Sequence, residues 1–311
     1  MSRSIVLFIK FYNGTKVQLD RIFLNLSKLK LKPSKVVIVD DGSPNLDIHD
    51  NWINDLRSKY RGKLNLQYYR ARHSKLEPDL NTVGVSMNFA FYTEMYREKG
   101  EYEYIAWMDL DTLFTKDYFF KIIDTFERTP DLACASGQLV TPKDQWKDFT
   151  PEEIIADIEK GYDALLDEYK VEIINFGAKF GRKDARGSGK VVRGSFMMKI
   201  KQGNFPDVDW DTWINTRAKI EGFKAKQLND IFYVSTQPTT RVKNLNPFRN
   251  GQLTYHFGYN PLLVIMKALL SKTKIIKFIR GYLDARKMGW ILHDDEVRKF
   301  FGWRFLLHPF R

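Results

Sequence analysis

The sequence predicts an α/β fold built on a mostly parallel sheet. Three observations predict it. Short apolar runs of strand length recur along the first hundred residues: "IVLFI" (5–9), "VVIV" (36–39) and "IAWM" (105–108). Stretches with helical spacing lie between them, and strands alternating with helices give parallel sheets. Two of the runs stop abruptly on acid pairs, Asp40-Asp41 and Asp109-Leu110-Asp111. Acids are depleted from strands, and in open α/β sheets ligands gather beyond the carboxyl ends of the strands.

Each element follows in order. "SIVLFI" (4–9) is a β-rich run closed by the turn-like "YNG". Val17, Ile22, Leu26 and Leu29 set a helix over 15–30. "KVVIVDDGS" (35–43) is a strand ending in Asp40-Asp41-Gly42-Ser43. A helix over 50–60 precedes a third strand, "LNLQYYRA" (64–71). "VSMNFAFYTEMYREKG" (85–100) is a helix with a glycine stop. "YEYIAWM" (102–108) is the fourth strand and runs into Asp109.

The second half differs in texture. Residues 149–170 predict a helix, with Thr150 as N-cap, Pro151 at the first position and Glu153 completing a capping box. "GAKFGRKDARGSGK" (177–190) is a basic, glycine-rich loop. "VVRGSFMMKI" (191–200) predicts a strand containing Gly194. "FPDVDWDTWINTRAKIEGF" (205–223) begins as an acidic loop and becomes a helix.

Composition narrows the function classes. The chain has 311 residues, 43% of them hydrophobic, enough for one large domain or one domain with an appendage. A single cysteine, Cys134, allows no internal disulfide. The first apolar stretch spans only five residues, Ile5 to Ile9, too short for a cleavable signal. No run approaches the ~20 apolar residues of a membrane span. These features predict a cytoplasmic protein, or one peripheral on the inner face of the cell membrane. A formal charge of +12 predicts an anionic partner. Nucleic acid fits that charge, but no zinc-ligand spacing or RNA-recognition aromatic motif supports it.

Carboxylates at Asp-x-Asp spacing in a turn can address one hard cation, magnesium or manganese, with water and phosphate oxygens completing the shell. Such a cation neutralises a diphosphate leaving group. A solvated turn is the competing account of the pair.

In order along the chain, "SIVLFIKFYN", "KVVIVDDGS", "TVGVSMNFAF", "YIAWMDLDT", "VVRGSFMMKI" and "DWDTWINTRAKIEGF" resemble the family-2 glycosyltransferases of the GT-A fold. The resemblance covers residues 4–265 and implies a catalytic domain over 1–259 followed by a basic helical tail, 260–311. It implies a metal-dependent, inverting transfer of a sugar from a nucleotide diphosphate sugar to a hydroxyl of a glycan or lipid-linked acceptor. A UDP-sugar comes first, because a carboxylate suits the imide N–H of uracil; the same acid also suits a guanine edge. A sugar-phosphate nucleotidyltransferase is the second reading, but its Gly-rich basic loop is poorly matched by "FYNGTKVQ".

The same resemblance distributes roles. Asp41, with Asp40 beside it, is the base-binding acid, and Tyr12 lies near the base. Asp109 faces ribose and phosphate and joins Asp111, the direct metal ligand, and Gly194, on the acceptor strand, belongs to the nucleotide-sugar-binding set. Arg217 and Gly222, at the family's spacing, place the catalytic base at Asp211, with Asp209 as the alternative. An acidic first turn complementing a helix dipole is the plainer account of Asp211. The chain departs from the pattern at Lys10, where proline or threonine is usual, at Ser86-Met87-Asn88, at Thr112, and at Trp210, where glutamate is usual. The histidine expected after the base region is missing from "FYVSTQPTT", which leaves His256 as the candidate metal or phosphate ligand.

The tail from Asn260 holds eleven basic and four acidic residues, +7 of the total +12. Lysines interrupt its apolar residues too often for a span, and the pattern predicts an interfacial helix on an anionic membrane. A helix packed on its own domain, or on a second subunit in a homodimer, is the alternative.

Overall fold

A computed structural model describes residues 3–44, 46–70, 83–98, 101–142, 150–161, 171–174, 184–185, 187–200, 206, 209–237, 247–270 and 275–304. The chain divides into two compact units. The first comprises residues 1–218 and 222–238; the second comprises 219–221 and 239–311.

The first unit is a nine-stranded sheet with helices. Strands β1 (Ile5–Phe11), β2 (Lys35–Asp40), β3 (Leu66–Arg70) and β4 (Tyr104–Asp109) run parallel in the order β3-β2-β1-β4. Beyond β4 the sheet continues through β8 (Val191–Arg193), β6 (Leu132–Pro142), β9 (Lys224–Ser235) and β5 (Thr112–Phe114), while β7 (Val171–Ile174) pairs with β6. β8 is antiparallel to both β4 and β6. The apolar runs form strands because every residue from Ile5 to Ile9, Val36 to Val39 and Ile105 to Met108 is buried, which both faces of a covered parallel sheet require.

Helix α1 (Lys16–Ser27) buries Leu19, Ile22, Phe23 and Leu26 and starts with a capping box between Thr15 and Gln18. Helices α2 (Leu46–Lys59) and α3 (Val83–Tyr92) follow; α3 runs on into one π-helical turn, Thr93–Arg97. Gly100, the expected stop, lies outside the described residues. Helix α4 (Tyr118–Arg128) and helix α5 (Pro151–Glu159) come next, and α5 carries the expected capping box between Thr150 and Glu153. The remainder of that expected helix, 162–170, and most of the basic loop fall outside the described residues.

One element differs from expectation. The strand read through Gly194 stops at Arg193, and helix α6 (Gly194–Ile200) begins there. The reason is steric. Gly194 N–H donates to Glu103 O at 2.7 Å, and a Cβ at this position would fall on the carbonyl oxygen of Tyr102. Only glycine lets the chain turn so close to the start of β4. Helix α7 (Trp210–Ile220) completes this part of the chain.

In the second unit, helices α8 (Pro247–His256), α9 (Pro261–Leu270), α10 (Ile275–Met288) and α11 (Asp295–Lys299) follow one another. α8 and α10 pack backbone to backbone: a Cβ on Gly251 would strike Phe278 O, and one on Gly281 would strike Phe248 O. Val264 and Phe278 form a small core, with Tyr259 and Tyr282 against it. Among the described residues no helix is long and apolar enough to cross a membrane.

Candidate active site

The carboxyl ends of β1, β2 and β4 lie side by side, and the acids predicted from sequence gather there. Asp40 is fully buried. Its Oδ1 accepts from Ser43 N at 2.9 Å and Ser43 Oγ at 2.6 Å, and its Oδ2 accepts from Tyr68 Oη at 2.7 Å. Asp40 therefore builds the turn, and Gly42 supplies the left-handed residue (φ 78°) that the turn needs. Ser43 Oγ also accepts from Asn13 N at 2.9 Å, tying the loop after β2 to the loop after β1. Arg70 Nη2 braces the same loop through Ser43 O at 2.5 Å. Asp41 is half-buried, its N–H donates to Phe11 O at 2.9 Å, and Ser86 Oγ donates to its carboxylate. Tyr12 stands in solvent beside it, 62% exposed.

Asp109 closes β4. Its N–H donates to Ser188 Oγ at 2.7 Å, and Ser188 Oγ also accepts from Thr112 Oγ1 at 2.6 Å. Asp111 is half-buried; Ser235 Oγ donates to its Oδ2 at 3.2 Å, and its carbonyl accepts from Thr236 N at 2.6 Å. Burial raises the Asp111 pKa above the ordinary carboxylate value, and the charge of Asp109 adds to it. Lys10, the register partner of Asp109 across β1 and β4, pairs its ammonium with Asp109.

Asp211 sits in the first turn of α7. Its Oδ1 accepts from Thr212 N at 2.9 Å and its Oδ2 from Gly187 N at 3.4 Å. Its carbonyl accepts from the ammonium of Lys190 at 2.7 Å. Lys190 is fully buried and also donates to Asn215 Oδ1 at 3.0 Å. Asn215 in turn donates to Ala185 O at 2.6 Å. Asp209, the alternative base, is in a left-handed conformation (φ 53°) and accepts from Thr212 Oγ1 at 2.9 Å. Trp210 packs on Trp107, ring centroids 5.0 Å apart, and the Lys10 ammonium lies 5.8 Å from the Trp210 ring centre.

Asp109, Asp111 and Asp211 act on one another's surroundings. All three raise the Lys10 pKa, against the opposing effect of burial, which is the largest single influence. All three also help hold the Tyr233 hydroxyl protonated, behind burial and the neighbouring Tyr118. Tyr233 is buried, and its hydroxyl has no hydrogen-bond partner among the described residues.

One predicted residue of the first unit lies elsewhere. Gly194 follows Arg193, which pairs with Tyr104 at the amino end of β4, the opposite end from Asp109. His256 belongs to the second unit and is 5% exposed. Burial pushes its pKa down to about 4, with Arg249, Arg298 and His293 adding to the effect, and its ring lies 4.4 Å from that of Trp290. Its surroundings are aromatic and cationic, not carboxylate. A shallow cavity lined by Pro33, Arg57, Arg61 and Asn65 lies at the amino ends of β2 and β3, also away from the acids.

Among the described residues no group of three or more His, Cys, Asp or Glu side chains is arranged to hold a metal ion. The donor set is the pair Asp109 and Asp111. It is all oxygen, it carries the excess negative charge that raises the Asp111 pKa, and it suits a hard cation that takes its remaining ligands from water and phosphate.

This architecture has solved counterparts. The chain superposes on the mannosyltransferase PcManGT from Pyrobaculum calidifontis, solved with GDP-Man and Mn2+, with a TM-score of 0.52 at 14% identity, over 90% of this chain and 68% of that one. The chain has the GT-A fold. S. aureus TarS 1–349 with UDP-GlcNAc is similar at a TM-score of 0.49 and 15% identity, over 92% of this chain and 75% of that one. No family model and no curated protein sequence matches the chain. In GT-A terms, the four parallel strands β3-β2-β1-β4 are the half whose carboxyl ends carry Asp41, Asp109 and Asp111, and the tail after the sheet is helical.

Lys190, Ser188, Ser235 and Tyr233 were not singled out by the sequence. A lysine in a basic loop reads as solvated, and nothing local signals that Lys190 is buried beneath α7.

Proposed function

We propose that the chain is a glycosyltransferase that moves a sugar from a nucleotide diphosphate sugar to a hydroxyl acceptor, with inversion. The observation that carries this reading is the placement of Asp41, Asp109 and Asp111 beyond the carboxyl ends of β2 and β4 of a GT-A sheet, with Lys10 paired to Asp109 and lying 5.8 Å from the ring of Trp210, the neighbour of Asp211. That PcManGT was solved with GDP-Man and Mn2+ supports a nucleotide-sugar donor and a divalent cation.

In this reading Asp41 receives the base, held in place by Ser86 and by the Asp40 turn, with exposed Tyr12 beside it. Asp109 and Asp111 would hold magnesium or manganese, which as a Lewis acid neutralises charge on the departing diphosphate. Asp211 takes the proton of the acceptor hydroxyl as the oxygen attacks the anomeric carbon from the face opposite the diphosphate. Its carboxylate is oriented by Thr212 N and Gly187 N, and Lys190 fixes its main chain, so the base has one position. The half-buried Trp210 ring, packed on the buried Trp107, gives the site an apolar surface suited to a sugar face. The test is release of nucleoside diphosphate from a panel of UDP- and GDP-sugars with manganese, wild type against Asp211→Asn. No turnover of any donor above the variant's background would reject the reading.

We propose further that the second unit meets an anionic lipid surface. Two of its helices support this. Leu262, Ile265, Met266 and Leu269 on α9, and Ile275, Ile276, Ile279 and Leu283 on α10, are all exposed and recur at helical spacing. Lys277, Arg280, Arg286 and Lys287 share α10 with them, the pairing of apolar and basic residues that suits an anionic bilayer.

A further inference from the structure

Lys10 is a cation of the acid cluster. It sits one residue from the end of β1, and parallel register sets it directly opposite Asp109 on β4. Its ammonium pairs with Asp109, and the Trp210 ring lies 5.8 Å away. The two other acids of the cluster, Asp111 and Asp211, also favour its charged form. The pair is reachable from solvent: the side chains are 27% and 41% exposed.

Two physical consequences follow. Both side chains are partly open to solvent, so a stronger cation can reach Asp109 and displace the ammonium. A divalent ion on the same carboxylate would feel the ammonium as a like charge a few ångströms away, in a setting less screened than bulk water. Asp109 cannot serve both at full strength.

We propose that Lys10 competes with a divalent metal for Asp109 and thereby sets how tightly the Asp109–Asp111 pair binds metal. The inference rests on the reading of those two aspartates as cation ligands. It assigns Lys10 a positioning role: metal uptake at Asp109 would require the ammonium to move off that carboxylate. Freed, the ammonium is within reach of an anionic diphosphate held at the same place. A cross-strand pair that only joins β1 to β4 is the plain alternative.

The test is direct Mn2+ binding to the full chain, read from the electron paramagnetic resonance signal of free Mn2+ during titration, without nucleotide. Wild type is compared with Lys10→Met, which keeps the stem and removes the charge, with Lys10→Gln as a second neutral variant, with Lys10→Arg, and with Asp111→Asn. Circular dichroism melts confirm that each variant folds. The expected result is a Kd at least tenfold lower for Lys10→Met and Lys10→Gln, within threefold of wild type for Lys10→Arg, and binding lost in Asp111→Asn. Neutral variants that bind Mn2+ no more tightly than wild type, while Asp111→Asn loses binding, would overturn the Lys10 assignment and leave the acid pair as the metal site. Absence of Mn2+ binding in wild type and in both neutral variants would overturn both.

Discussion

The ammonium of Lys190 donates to the main-chain carbonyl of Asp211 at 2.7 Å from a fully buried position. A buried lysine is costly unless its donors are satisfied. Here Asp211 O and Asn215 Oδ1 both accept from it, and Cys134 Sγ also reaches Asn215 Oδ1, at 3.3 Å. The consequence is that Asp211, the proposed base, is held by its backbone as well as by its carboxylate. Lys190→Met removes a charged donor from Asp211 O and Asn215 Oδ1 and should cost about 1.5–3 kcal/mol, the usual value of a hydrogen bond to a charged group. It should also lower turnover more than donor affinity. Urea melts and a kcat-against-KM comparison check it; an unchanged midpoint would count against the network.

Asp211→Asn keeps the shape of the base and removes its proton acceptor. Turnover should fall by about 10²–10⁴, the ordinary contribution of a general base, with donor affinity nearly unchanged. A collapse in donor affinity at normal saturated turnover would move the base role to Asp209.

Asp111→Ala should abolish transfer and remove the manganese-dependent part of donor binding, a loss of roughly 2–5 kcal/mol for a desolvated charge contact. Isothermal titration with nucleotide diphosphate, with and without manganese, reads it. Near-normal manganese-dependent turnover would be incompatible with the assignment.

His256 makes the second unit sensitive to acid. Its folded pKa of about 4 lies below the ordinary 6.5. The folded form therefore resists a proton that the unfolded chain accepts. The stability tied to the neutral ring is intact above pH 6.5 and is lost as pH falls from 6.5 toward 4, to about 3 kcal/mol at the low end. Hydrogen exchange over residues 247–256 at pH 7 and pH 5 measures it. In His256→Phe that pH dependence should vanish.

The exposed stripe on α9 and α10 should bind anionic vesicles and release them in salt, because each basic residue near an anionic leaflet contributes about 1 kcal/mol within a Debye length of ~8 Å. Replacing Leu262, Leu269, Ile276 and Leu283 with serine should abolish co-sedimentation while the melting temperature holds. Wild-type chain that stays in the supernatant with anionic lipid, and runs as a dimer, would assign the stripe to a second copy instead.

Much of this was legible in the residues themselves. β1, β2 and β4 announce themselves because a strand covered on both faces must be apolar throughout, and the acids that end it then either build the turn, as Asp40 does, or open toward solvent, as Asp109 does. β6 was silent for the opposite reason. "LACASGQLVTP" is buried along its whole length, yet its small and polar residues carry neither alternation nor an apolar run. In β9, "KAKQLNDIFYVS", the first half reads as a polar loop. The Gly194 error was of a different kind: "VVRGSFMMKI" is apolar enough for either structure, and the carbonyl of Tyr102, about ninety positions away, decides it. At the site, the acids were visible because their spacing is local. Lys10 and Lys190 were not, because a lysine shows its partner only after the chain has folded.

The crossing of α8 and α10 has a mechanical meaning. Gly251 lies against Phe278 O and Gly281 against Phe248 O, so each helix offers the other the single notch that fits. A slide of one residue in either direction would bring a side chain to the crossing and jam it. The pair is thus keyed at its crossing, and a side chain larger than hydrogen at Gly251 or Gly281 would push α10, with its apolar face at Ile276 and Leu283, off the helix that carries His256.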